Sequence, residues 1–137
     1  MSARTKARKR AADILFEADQ RQTSASDVLQ RQEADAVVPM NPWVREIVTG
    51  YIDHAQTIDE VISTYAEGWP LERMPAVDRA LARIGVYELL YADSVDDAVT
   101  INEIVNLAGD LSTEESPAFL NGFLGRVSSI RHRLTLD

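Results

Sequence analysis

Cysteine is absent from the 137 residues, which excludes disulfides, thiolate metal sites and thiol nucleophiles together. Histidine is scarce. His54 and His132 fall in different segments, and neither has a His or carboxylate partner at metal-ligand spacing. Neither a zinc site nor a histidine general base is therefore expected, and both read as helix-surface residues. The sequence holds no phosphate-cradling glycine loop, no Gly-x-Ser-x-Gly elbow and no acidic calcium loop. The acid pairs Asp96-Asp97 and Glu114-Glu115 precede helical segments, where carboxylates favour the positive end of the helix dipole. No apolar run reaches the roughly 18 residues of a membrane span, and the basic start leads into an amphipathic segment rather than an apolar signal core. The expectation is a non-enzymatic, soluble, cytoplasmic protein with no cofactor or metal, in one domain over residues 1–137.

Charge is distributed unevenly. Arg4, Lys6, Arg8, Lys9 and Arg10 are five of the 14 basic residues, and no acid stands among the first ten positions. The rest of the chain holds nine basic against 22 acidic side chains, and the net charge is −8. Such an acidic body repels nucleic acid, so a basic segment at one end reads as a local polyanion grip. A solvated tail or a tag remnant is the plainer reading. Ala11, Ile14, Leu15 and Ala18 recur at helical spacing, which puts the arm on the first helix or its fraying start. Lys6, Lys9 and Arg10 fall away from that stripe, and Phe16 projects near Lys9. Phe16 could stack on a base, although burial in a second core face is the commoner fate of Phe.

The remaining pattern is helical throughout. Thr23 to Ser26 caps a short helix over about 27–36; Asn41-Pro42 starts a long one reaching residue 66, with a kink or restart where Thr57 and Glu60 resemble a capping box. One short turn fits between Pro70 and Pro75. A helix over about 76–92 is apolar around nearly its whole circumference, which marks the centre of the fold. Thr100 with Glu103 reads as a second capping box, and Ser116-Pro117 opens the last helix. Gly122 and Gly125 in that helix suggest close approach of another helix or a ligand, while Asn121 and Phe119 fit packing as well as ligand contact. The fold class is all-α.

Four blocks then carry a family resemblance: Ala7-Arg-Lys-Arg-Ala-Ala12 ahead of Ile14-Leu-Phe-Glu-Ala18, Pro75-Ala-Val-Asp-Arg-Ala-Leu-Ala-Arg-Ile-Gly-Val-Tyr-Glu-Leu-Leu90, Ile101-Asn-Glu-Ile-Val-Asn-Leu-Ala108 and Phe119-Leu-Asn-Gly122. In this order the chain resembles the NusB family of bacterial transcription antitermination factors over essentially its whole length. Gly68-Trp69 and Leu111 to Pro117 look like the actinobacterial branch. The resemblance implies two small helical bundles packed side by side, at about 3–66 and 71–136, and no catalysis. It also implies binding of the single-stranded boxA element of ribosomal RNA leader transcripts, together with the ribosomal protein that acts as NusE, in an antitermination complex with RNA polymerase. By the same resemblance Lys6 and Arg8 match an RNA-binding start, with Lys9 and Arg10 adding charge nearby, while Arg4 joins the RNA-binding candidates as part of the basic arm. Phe16 replaces an aromatic residue implicated in RNA contact, Glu115 and Phe119 match RNA-side positions, and Asp78 matches an acidic position at the NusE interface. Ala118 stands where some members carry a basic residue. Two other readings stay open: a NusB-like regulatory domain detached from a ribosomal RNA cytosine methyltransferase, and a homodimer that binds only protein.

Overall fold

A computed structural model describes residues 1–134 and 136. Its order is α1 (Ala3–Arg21), α2 (Ala25–Asp35), α3 (Pro42–Asp53), α4 (Ala55–Tyr65), α5 (Ala76–Tyr91), α6 (Asp97–Leu111) and α7 (Ser116–Ile130), with single 3-10 turns at Leu71–Arg73 and Arg131–Arg133. The described residues contain no strand. Local chemistry fixes the boundaries. The Ser2 side chain accepts from the Thr5 N–H at 3.1 Å to start α1, and Gln22, left-handed at φ 54°, ends it. Ser24 caps α2, and Asn41 accepts from the Trp43 N–H at 2.9 Å ahead of Pro42.

The long helix over 42–66 divides. His54 leaves helical geometry (φ −123°, ψ 23°) and separates α3 from α4, three residues before Thr57. At this break His54 stacks on Tyr91 at 3.8 Å between ring centroids, and one turn earlier Tyr87 packs its ring against Gly50. The second proposed capping box is also displaced. Asp96 precedes α6, while Thr100 lies inside the helix, fully buried, and donates to Glu88 at 2.7 Å.

Helix α5 packs against α1, α3, α4, α6 and α7, which explains why apolar residues surround it. Leu81, Ile84 and Val86 are 0 % exposed in a core that continues through all seven helices. The glycines with packing roles are not those singled out in the sequence. A Cβ on Gly50 would lie 2.1 Å from Tyr87, and one on Gly85 would lie 2.8 Å from Leu124, whereas one on Gly122 or Gly125 would meet nothing within 4 Å. Gly50→Ala is thus expected to cost about 1–2 kcal/mol net, overpacking outweighing the gain in helix propensity. Gly122→Ala should instead stabilise by about 0.5–1 kcal/mol. Urea denaturation of the two variants checks both signs.

Candidate nucleic-acid interface

Helix α1 buries Thr5, Ala7, Arg8, Ala11, Ala12, Ile14, Leu15 and Ala18. Small side chains on this face let it lie close to α3 and α5. The opposite face carries Lys6, Lys9, Arg10, Asp13 and Phe16, all exposed, with Phe16 at 38 %. The basic arm is therefore an ordered helical face, and Phe16 belongs to its surface rather than to a second core face. Partial desolvation by the neighbouring side chains raises the Asp13 carboxyl above its ordinary value, while Lys9 and Arg10 pull it downward.

Arg8 requires a correction. It is 1 % exposed and cannot meet a ligand at the surface. Its Nε donates to Glu88 Oε2 at 2.8 Å, Nη2 to Oε1 at 3.0 Å and Nη1 to Thr5 Oγ1 at 3.1 Å. Trp43 Nε1 donates to the same carboxylate at 3.1 Å, and the Thr5 hydroxyl donates its own hydrogen bond to Glu103 at 2.7 Å. A buried ion pair persists only when its hydrogen-bonding capacity is filled in this way. Spacing carried the signal: Ala11, Ala12 and Leu15 stand at i+3, i+4 and i+7 from Arg8, in the middle of the apolar stripe. Arg4 remains outside, its guanidinium 4.1 Å from the centroid of the Trp43 ring.

Asp78 is likewise internal, at 0 % exposure. The Ser112 hydroxyl donates to its Oδ1, and Ser116 donates to Oδ2 at 2.8 Å while accepting from the Thr113 N–H. Its carboxylate therefore joins the start of α5 to the α6–α7 connection, instead of facing outward toward a partner. Ser116 is the first residue of α7, not its cap. Glu115, just ahead of it, is exposed. Phe119 is half-buried, meeting Trp69 edge-on at 4.7 Å and stacking with Phe123 at 6.1 Å.

Helices α1 and α7 thus both reference α5, the first through Arg8–Glu88 and an Asp19–Arg79 bond of 2.6 Å, the second through Asp78. Among the described residues no cluster of three or more His, Asp or Glu could hold a metal ion, and no helix is long and apolar enough to cross a membrane.

The NusB family model matches residues 5–129. The chain belongs to the NusB family. A transcription antitermination protein NusB from Arthrobacter sp. (strain FB24) is 54% identical over 136 residues, covering 98% of each chain. The NusB of Kineococcus radiotolerans is 50% identical over 135 residues, covering 98% of this chain and 99% of its own. Among solved structures, T. maritima NusB superposes with a TM-score of 0.80 at 30% identity, over 94% of this chain and 92% of that one. The fold also matches, with a TM-score of 0.82 at 23% identity, a chain from a structure of antitermination factors NusB and NusE in complex with dsRNA, covering 94% of this chain and 98% of that one. Arg8 and Asp78 lie inside this NusB fold, while Lys6, Lys9, Arg10 and Phe16 lie outside.

Proposed function

We propose that the chain is an RNA-binding transcription antitermination factor. On this reading it holds boxA RNA of ribosomal leader transcripts, together with the ribosomal protein acting as NusE, and favours processive transcription by RNA polymerase in the bacterial cytoplasm. One observation carries the proposal: on a NusB fold of net charge −8, an ordered helix displays Lys6, Lys9 and Arg10 beside an exposed Phe16. Cations attract phosphates irrespective of sequence, and an exposed ring stacks on bases that are free of a duplex. Exposed Glu115 and the Phe119 edge supply the further RNA-side positions. The acidic remainder complements a cationic ribosomal protein, and complementary charge speeds and orients such an encounter.

The test is titration of boxA RNA and a scrambled control, with and without NusE, at two salt concentrations. With Arg8 internal, at most four arm cations can reach phosphates, so the log-log salt slope should fall between about −2 and −3 instead of the −3.5 or so expected of five. Lys6→Gln with Lys9→Gln should weaken both RNAs alike. Phe16→Ala should cost about 1–3 kcal/mol of boxA affinity at unchanged stability. Wild-type affinity in all these variants would reject the assignment.

A further inference from the structure

Beside α1, on the flank facing the α2–α3 connection, lies an open groove of about 470 Å³ that includes Lys6, Ala7, Arg10, Val37, Val38 and Met40. Val37 is 99 % exposed and Val38 75 %, two adjacent apolar side chains presented to solvent by a loop. The charged residues in the described lining are Lys6 and Arg10, both cationic, on a chain that is otherwise strongly acidic. Arg10 is held in place through Nε, which donates to Gln32 at 2.7 Å, so its terminal nitrogens remain for an anion. Lys6 and Arg10 are one helical turn apart, about 6 Å along the axis, close enough to bracket adjacent phosphates of an extended strand.

We propose that this groove is a second RNA subsite, which takes nucleotides flanking the core element, Val37 and Val38 covering a base while Lys6 and Arg10 hold the phosphates. The inference rests on the RNA-binding reading above and extends it: a strand lying on the outward face of α1 passes over Lys6 and Arg10, which belong to both surfaces, and enters the groove. The purely cationic lining favours a polyanion, and the apolar loop favours one whose bases are unpaired.

The experiment compares fluorescence anisotropy of a core boxA RNA with the same RNA extended by about six uridines at each end, a length within the usual single-strand site size. The wild-type chain should bind the extended RNA about five- to tenfold more tightly. Val37→Ser with Val38→Ser should abolish that gain and leave core binding unchanged, whereas Arg10→Gln, at the border of both surfaces, should flatten the salt slopes of both RNAs by about 0.7. Equal wild-type affinity for the two RNAs overturns the subsite while core binding stands; failure to bind the core overturns the reading beneath it. Two further outcomes also overturn it. The double variant could lose binding of a synthetic Glu-Leu amphipathic helix with its RNA gain intact, giving the groove to an acidic peptide. It could instead dissociate a dimer in sedimentation, giving the groove to a second copy of the chain.

Discussion

Arg8→Met is expected to lose about 3–5 kcal/mol of unfolding free energy, because it strands the Glu88 carboxylate in the core without its counter-ion. Trp43 and Thr100 would still donate to that carboxylate, but neutral donors do not replace a bidentate guanidinium. Adding Glu88→Gln to the same variant removes the stranded charge and should recover part of the loss. Equilibrium urea denaturation measures both, and boxA titration of the folded Arg8 variant supplies the contrast. Near wild-type RNA affinity with a lowered denaturation midpoint is the expected result. Wild-type stability with weakened RNA binding would return Arg8 to the surface.

Asp78→Ala should lose about 2–3 kcal/mol, since the hydroxyls of Ser112 and Ser116 both give up their acceptor in a site with little access to water. Asp78→Asn keeps one acceptor oxygen and should lose less. The α6–α7 connection is positioned by this carboxylate, so NusE or RNA affinity could weaken in Asp78→Ala through displacement of Glu115 and Phe119. A direct contact predicts something different: lost partner affinity in both variants at unchanged stability. Chemical denaturation beside calorimetric titration of NusE separates the two.

The helices were legible wherever their ends carry local chemistry. Asn41-Pro42 and Ser24 mark starts through side chains that bond their own first turn, and the apolar circumference of α5 identified the centre. The break at His54 was less legible, because the rings packed around it, Tyr87 and Tyr91, stand more than thirty positions away. Thr100 and Glu103 matched a capping box by spacing alone, yet their oxygens serve Glu88 and Thr5 across the core. The outward cations followed from the angular position of each residue on α1, whereas the usual burial of Phe pointed Phe16 inward and its exposure did not follow from residue type. Arg8 and Asp78 were drawn outward by residue type and family resemblance. Their own spacing pointed inward: Asp78 has Leu81, Ala82 and Gly85 at i+3, i+4 and i+7, the pattern that Arg8 has with Ala11, Ala12 and Leu15. A charged residue centred on an apolar stripe signals a buried partner, and here each charge had one.

The Arg8–Glu88 pair has a thermodynamic consequence for recognition. Many arginine-rich segments are disordered when free and order on contact with RNA, at a cost of about 2–5 kcal/mol. In this chain one arginine of the segment is locked into the core, so its neighbours are held on a helix before any ligand arrives. Association then begins from a preorganised surface: little backbone entropy is lost, and the heat capacity change reflects the contact area alone rather than a folding transition.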